Sequence, residues 1–140
     1  KFKRGEKFSH CSVASTPGLM LECLQGTACD ERPVRFDGLA GIYRHKDELD
    51  LEVGYDWFLK TAKGQGYDWV GLLSFAFAKY QGRDNKKMFC SEFVARFFNV
   101  INKPLFSSYT DADAVSPGMI PYSPHVVRIW LREDKKDGKP

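Results

Sequence analysis

The segment that most constrains the fold is "CSEFVARFFNVI", which begins at Cys90 and carries a wide apolar stripe. Its apolar residues recur at the spacing of one face of an α-helix. Pro104 follows shortly after the stripe, and a proline ends a helix because it has no N–H to donate. The pattern therefore predicts a helix that starts at or just after Cys90 and buries one face, formed by Phe93, Val94, Phe97, Phe98 and Ile101.

Strand patterns come before the helical part of the chain, and one more follows it. The segments "KFSHCSVAS" and "LMLECLQG" flank the Thr16-Pro17-Gly18 turn and predict a hairpin. After a loop rich in charge, "VRFDGLAGIYRH" predicts one or two further short strands, and "HVVRIWL" predicts the last one. This order favours an α+β fold. Because we find no internal repeat or low-complexity linker, we expect a single domain over residues 1–140.

Two further helices are predicted in the middle of the chain. Asp47 is the expected N-cap of "ELDLEVGYDWFLKTAK", and Gly64 is expected to end that helix. Gly54 weakens this pattern, since a glycine inside a helix costs about 1 kcal/mol relative to alanine. Asp68 is the expected N-cap of a second helix, "WVGLLSFAFAKY", whose apolar residues share one face.

The composition limits the functional class. The chain has 140 residues, of which 43% are hydrophobic, and this is enough for a core without disulfide support. The net charge of +3 is balanced and no basic stripe is interleaved with aromatic residues, so we expect no nucleic-acid partner. We also expect no transmembrane segment, because no apolar run approaches about 20 residues. No signal peptide is visible, although a start at Lys1 leaves a removed leader open.

Four cysteines, Cys11, Cys23, Cys29 and Cys90, lack the spacing of a zinc finger or of a disulfide scaffold. We therefore expect reduced thiols and a reducing, cytoplasmic compartment, with a Cys23–Cys29 bridge as the alternative. A metal site would require four residues to converge: His10, Cys11, Cys23 and Cys29. We expect neither a metal nor an organic cofactor.

Cys90 has a setting that the other cysteines lack. A cysteine at the start of a helix faces free backbone N–H groups and the positive end of the helix dipole, which favour the thiolate. The same N–H groups stabilise the oxyanion that forms when a thiolate attacks a carbonyl. Position alone leaves an alternative open, because free cysteines are often ordinary core residues. The choice depends on whether a base lies nearby.

The base must come from three histidines. We expect His45 at the surface, at the end of a strand, and His125 in an exposed or structural position. His10 differs because it lies inside the first predicted strand, where an imidazole has to be buried or partnered. Glu22 lies between apolar residues on the neighbouring predicted strand and is the partner that we expect for His10. The alternative for Glu22 is a solvent-facing position.

Five segments, in this order, resemble the NlpC-type papain-fold cysteine peptidases, and more specifically their circularly permuted YiiX-like branch: "FSHCSVAS", "LMLECLQG", "GYDWVGLL", "MFCSEFVARFF" and "DADAVSPGMI". In that branch the histidine strand precedes the cysteine helix, and here His10 precedes Cys90 by 80 residues. The resemblance implies a papain-like fold with a small antiparallel sheet and a nucleophile-bearing helix. It also implies roles for four residues: Cys90 as nucleophile, His10 as base, Glu22 as its acidic partner, and Tyr67 as a residue that lines the site or helps to hold an oxyanion.

Two departures from the family pattern bear on function. The segment "KFKRGEK" stands where the family has a Gly-Asp turn, and "FCSEF" lacks the signature of the lecithin-retinol-acyltransferase-like relatives, which argues against an acyltransferase. The resemblance implies a thiol hydrolase that cleaves an amide or acyl ester bond through a thioester. The implied substrate is peptide-like, including cell-wall peptides, or bears an acyl group. The alternative is a non-catalytic binding or interaction module on the same scaffold. The sequence does not predict the oligomeric state.

Overall fold

A computed structural model describes residues 9–68, 87–107 and 110–132 of the chain. It shows a mixed α+β fold in which small sheets pack with short helices, so the predicted fold class is confirmed at that level. The first sheet has three antiparallel strands in the order β1-β2-β3, which are Val13–Thr16, Leu19–Cys23 and Cys29–Pro33. The predicted hairpin is therefore confirmed, and Gly18 supplies the turn with a φ of 84°.

β3 replaces the charged loop expected after the hairpin. Its sequence "CDERP" carries three charged residues, but it is the outer strand of the sheet, where charged side chains are tolerated because one edge faces water. Cys29 pairs with Cys23 across β2 and β3, and the two form a disulfide. The expectation of reduced thiols is therefore wrong for this pair, since the register places the two cysteines directly opposite each other.

The second sheet joins β4, Gly41–His45, to β7, Val126–Leu131, and confirms the predicted final strand. A third, parallel pair joins β5, Gly66–Tyr67, to β6, Lys87–Met88. β6 leads directly into the helix that begins at Cys90. The β5–β6 pair therefore fixes Tyr67 beside the start of that helix.

The first predicted helix is shorter and begins later than its pattern indicates. Helix α1 spans Leu51–Trp57 and continues as a π-helical turn over Phe58–Ala62. Its N-cap is Asp50, whose Oδ1 accepts the Glu52 N–H at 3.2 Å, so the prediction of Asp47 as the cap is wrong. Asp47 instead pairs with Lys103 at 3.0 Å. The second predicted helix, over residues 69–80, lies outside the described residues.

Helix α2, Cys90–Val100, confirms the predicted helix at its first residue. Asn102 ends the following turn with a φ of 57°, so the helix stops before Pro104. Two short 3-10 turns, Ala112–Ala114 and Pro117–Tyr122, follow within the predicted loop. In the described part of the chain no helix is long and apolar enough to cross a bilayer.

The core lies between α1, α2 and the first sheet. Aromatic rings dominate it: Phe93 of α2 lies 6.0 Å from Trp57 and 6.0 Å from Phe58, measured between ring centroids. The largest fully buried apolar side chains come from β2, the π-helical turn after α1, β6, α2 and the segment after α2: Leu21, Phe58, Met88, Phe93, Phe97 and Leu105. Because α2 supplies the centre of this core, its first turn is held in a fixed position.

Gly54 is where α1 approaches α2 most closely. A Cβ at this position would lie 2.4 Å from Cζ of Phe97 and under 3 Å from two other ring atoms. We expect Gly54→Ala to lower the free energy of unfolding by about 1–3 kcal/mol through overpacking, despite the better helix propensity of alanine. Urea unfolding measures this. Gly38→Ala is the matched control, since nothing lies within 4 Å of its Cβ position; equal stability of the two variants would contradict the prediction.

Candidate active site

Cys90 is the first residue of α2, and Phe89 is the extended N-cap before it. The first hydrogen bond of the helical ladder runs from the Phe93 N–H to the Phe89 carbonyl at 3.0 Å. The N–H groups of Cys90 and its two successors therefore precede that ladder. Neighbouring side chains hold this end: Ser91 Oγ donates to the Val115 carbonyl at 2.6 Å, and the Glu92 carboxylate accepts from the Phe89 N–H.

His10 contacts both an acid and the thiol. Its Nε2 lies 2.8 Å from Oε2 of Glu22, and its side chain is also hydrogen-bonded to Cys90. Because Nε2 of His10 is hydrogen-bonded to Glu22, Nδ1 is the ring nitrogen that can hydrogen-bond the Cys90 sulfur. The strand position predicted for His10 is wrong, since β1 begins at Val13 and His10 lies in the extended segment ahead of it. Freedom from the strand lets the ring turn towards α2.

Glu22 is the fourth of the five residues of β2 and is fully buried, so the solvent-facing alternative is excluded. Its carboxylate has cationic neighbours besides His10. Arg35 Nη2 donates to Oε1 at 3.1 Å and to Oε2 at 3.2 Å, and Arg32 Nε lies 3.9 Å from Oε1. A buried carboxylate is costly unless it is paired. Two arginines and the imidazole supply that pairing, and they fix the carboxylate that orients His10.

Cys11 is a member of the site that sequence reasoning missed. Both its side chain and its backbone N–H are hydrogen-bonded to Cys90. A strand would have turned residues 10 and 11 to opposite faces, which is why adjacency to His10 gave no signal. In the extended segment before β1, both side chains reach the same sulfur. The metal alternative fails on the other two cysteines, which are bonded to each other.

Tyr67 reaches the site from β5. Its side chain is hydrogen-bonded to Cys90, and burial together with the Cys90 thiolate raises the pKa of Tyr67 well above its usual value. The phenol therefore keeps its proton and remains a donor next to the sulfur. The structure thus brings together all four residues singled out in the sequence: Cys90, His10, Glu22 and Tyr67.

The hydrogen bonds around Cys90 decide its charge. The Cys11 side chain, His10 and the Cys11 N–H together lower the pKa of Cys90 to about 4, although burial acts in the opposite direction. Burial lowers the pKa of His10, but the hydrogen bonds and charges of Cys90 and Glu22 outweigh it and the net pKa is raised. Between these two pKa values the pair is therefore a thiolate beside an imidazolium.

Access to the sulfur is narrow. Cys90 is 3% exposed, whereas the side chain of His10 is 33% exposed. Cys11 is also partly exposed and borders the sulfur from the same segment. Within the described part of the chain, His10 and Cys11 are thus partly exposed neighbours of a buried sulfur.

The other two histidines lie at the second sheet, His45 as the last residue of β4 and His125 directly before β7. His45 is buried, so its predicted surface position is wrong; its Nδ1 accepts the Asp47 N–H at 3.1 Å. Its ring is stacked between Phe98 and the exposed His125, with centroid distances of 5.7 Å and 5.9 Å. Burial lowers the pKa of His45. It is a neutral packing residue at the end of β4 rather than a second candidate base.

The chain matches no family model, no curated protein and no solved structure. The resemblance to the permuted NlpC-type peptidases therefore stays a prediction. The case for a function comes from the side chains around Cys90 and from their chemistry.

Proposed function

We propose that the protein is a thiol hydrolase that cleaves an amide or acyl ester bond, with Cys90 as nucleophile, His10 as acid and base, and Glu22 as the residue that orients His10. One observation carries the proposal: the His10 imidazole bridges the buried Glu22 carboxylate, at 2.8 Å, and the thiol at the start of α2. Nucleophile, base and orienting acid in contact are the arrangement that activates a cysteine.

In the first half-reaction the Cys90 thiolate attacks the carbonyl carbon, and the C=O electron pair moves to oxygen. The Cys90 backbone N–H and the Tyr67 hydroxyl are the donors for that oxyanion. His10, which holds a proton as imidazolium, gives it to the leaving nitrogen or oxygen as the bond to carbon breaks. The product is a thioester on Cys90.

The second half-reaction returns the enzyme to its starting state. His10, now neutral, takes a proton from water, and the hydroxide attacks the thioester carbon. The C–S bond breaks, the carboxylic acid leaves, and Cys90 recovers its negative charge beside the imidazolium. Glu22 holds the imidazole in one orientation throughout, and Arg35 holds Glu22 from the exposed side. From the resemblance of the sequence to the permuted NlpC-type peptidases we further infer a papain-like scaffold and a peptide-like or acyl-bearing substrate.

A binding module with an idle thiol is the second candidate, and the 3% exposure of Cys90 favours it. Thiol reactivity separates the two functions. An idle thiol titrates like an ordinary cysteine, with a pKa of about 8.5, or stays protected. A nucleophile keeps its reactivity at low pH.

We expect iodoacetamide to label Cys90 with a pH midpoint near 4, because the thiolate persists down to that pH. In His10→Ala the midpoint should rise by about 2 units, since a neighbouring cation contributes about that much. Glu22→Gln should shift it in the same direction by less, and His125→Ala is the matched control with no shift. Peptide mass spectrometry reads the result, because trypsin places Cys90 in residues 88–96 and the other cysteines in 8–35.

Two outcomes would contradict the hydrolase and favour the binding module. One is a Cys90 midpoint near about 8.5. The other is protection of Cys90 from labelling in the folded chain under conditions that label the unfolded chain. Thiolate absorbance in the ultraviolet, followed in native protein and in Cys90→Ser, gives the same pKa without requiring access for a reagent.

A further inference from the structure

Cys11 and Cys90 are the two free cysteines of the chain, and they lie against each other. The Cys11 side chain is hydrogen-bonded to the Cys90 sulfur, and the Cys11 N–H donates to the same atom. The catalytic steps proposed above use Cys90, His10, Glu22 and Tyr67, and they leave the Cys11 thiol without a chemical task. A second thiol in contact with an activated thiolate is a redox arrangement.

We infer that Cys11 and Cys90 form a reversible disulfide when the site meets a hydroperoxide, so that Cys90 is the oxidised cysteine and Cys11 the one that resolves it. If the disulfide is a switch that turns hydrolysis off and on, the inference rests on the proposed function. As a modification site it does not, because the disulfide forms whether or not Cys90 turns over a substrate.

The first step is attack of the Cys90 thiolate on the terminal oxygen of the hydroperoxide. An S–O bond forms, the O–O bond breaks, and the departing alkoxide or hydroxide takes the proton of the His10 imidazolium and leaves as alcohol or water. Cys90 becomes a sulfenic acid: its sulfur is oxidised by two electrons and the peroxide is reduced by two.

In the second step the Cys11 sulfur attacks the Cys90 sulfur. The S–S bond forms as the S–O bond breaks, and the hydroxyl leaves as water with the proton from Cys11. Burial and the neighbouring Cys90 thiolate raise the pKa of Cys11 well above its usual value, so Cys11 rests as a protonated thiol that can supply this proton. Because Cys90 is a thiolate and Cys11 a protonated thiol, Cys90 is the sulfur that reacts with the peroxide first.

The segment that carries Cys11 is not paired in a sheet. Cys90 is held in the first turn of α2, while Cys11 lies ahead of β1 in a segment outside the sheet ladder. A shift of the Cys11 segment from sulfur contact to bonding distance therefore breaks no strand pairing. The Cys23–Cys29 disulfide occupies the remaining cysteines, so it does not compete for either thiol.

The test is treatment of the full chain with excess hydrogen peroxide, followed by alkylation and digestion without reduction. The expected product links residues 8–35 to 88–96 and is two hydrogen masses lighter than the two separate peptides that carry Cys11 and Cys90 as thiols and keep the Cys23–Cys29 disulfide. A second digestion with a protease that cleaves after Glu22 then separates Cys11 from Cys23 and Cys29 and shows which cysteine is bonded to Cys90. In Cys11→Ser the link should be missing and Cys90 should proceed to sulfinic acid, which dithiothreitol does not reverse.

Each result separates the two proposals. A Cys11–Cys90 link with no esterase activity in the reduced protein upholds this inference and removes the proposed function. Esterase activity without the link, or equal over-oxidation of native protein and Cys11→Ser, overturns the inference and leaves the hydrolase standing. If both hold, oxidation should lower the esterase rate by at least about 10-fold, and dithiothreitol should restore it in the native protein alone.

Discussion

Cys90→Ser is expected to abolish the burst of p-nitrophenol that the native protein releases from p-nitrophenyl acetate, and to lower kcat/KM by at least about 10³-fold. A serine hydroxyl has nearly the size of the thiol, so the start of α2 is preserved. What is lost is the ionised nucleophile, because the surroundings that lower the pKa of Cys90 to about 4 do not bring a hydroxyl into the range in which it ionises. Stopped-flow absorbance measures burst and steady state together.

A burst close to one equivalent per chain in native protein, with the acetyl group on residues 88–96, is the positive half of this prediction. Thermal unfolding of Cys90→Ser within a few degrees of native protein shows that the loss is chemical. His125→Ala is the matched surface variant and should retain the burst, since this exposed ring lies directly before β7 and stacks on His45. Retention of the burst in Cys90→Ser would mean that another group reacts and that Cys90 is not the nucleophile.

Phe93→Ala is expected to have the largest effect on stability, a loss of about 3–5 kcal/mol in the free energy of unfolding. Phe93 is fully buried and lies against Trp57, Phe58 and Phe97, with centroid distances of 6.0, 6.0 and 6.3 Å. Truncation removes the ring's transfer free energy and leaves a cavity that the surrounding rings fill only in part. The free energy of unfolding of a domain is typically about 5–15 kcal/mol, so the expected loss is a large share of it.

Urea unfolding, followed by tryptophan fluorescence, measures this difference, and Phe36→Ala is the matched control. Phe36 is 68% exposed, so the same truncation should change stability by less than about 0.5 kcal/mol. Phe93 lies one turn after Cys90 on α2, so the variant should also loosen the site and raise the pH midpoint of Cys90 labelling. Equal stability of the two alanine variants would mean that the aromatic cluster does not hold α2.

The start of α2 could be read from the chain because helical periodicity and the position of a proline are local properties. The apolar stripe and Pro104 fixed its limits, and the structure has the helix from Cys90 to Val100. The first hairpin is local in the same way, because Pro17-Gly18 dictates its turn. A carboxylate on an apolar strand needs a cationic partner, and this general chemistry predicts His10 as the partner of Glu22.

Other predictions failed where the answer depends on packing between distant segments. Asp47 has the chemistry of an N-cap, but Lys103 binds it and Asp50 takes the role. His45 has polar and charged neighbours in sequence, but Phe98 and His125 cover its ring. Charged side chains made Cys29–Pro33 resemble a loop, although pairing with β2 makes it an edge strand. Propensity describes a segment in isolation, and these contacts outweigh it.

By itself, the sequence determined that a cysteine opens an amphipathic helix and that a histidine and a glutamate lie on segments that a turn brings together. Only the tertiary structure decided that these groups meet, that Cys11 joins Cys90 at the same sulfur, and that Arg35 holds Glu22. The physical reason is the distance along the chain over which each kind of interaction acts. Periodicity and capping act over a few residues, whereas the pKa of Cys90 depends on atoms some 80 residues away in the chain, which folding alone brings within hydrogen-bond distance.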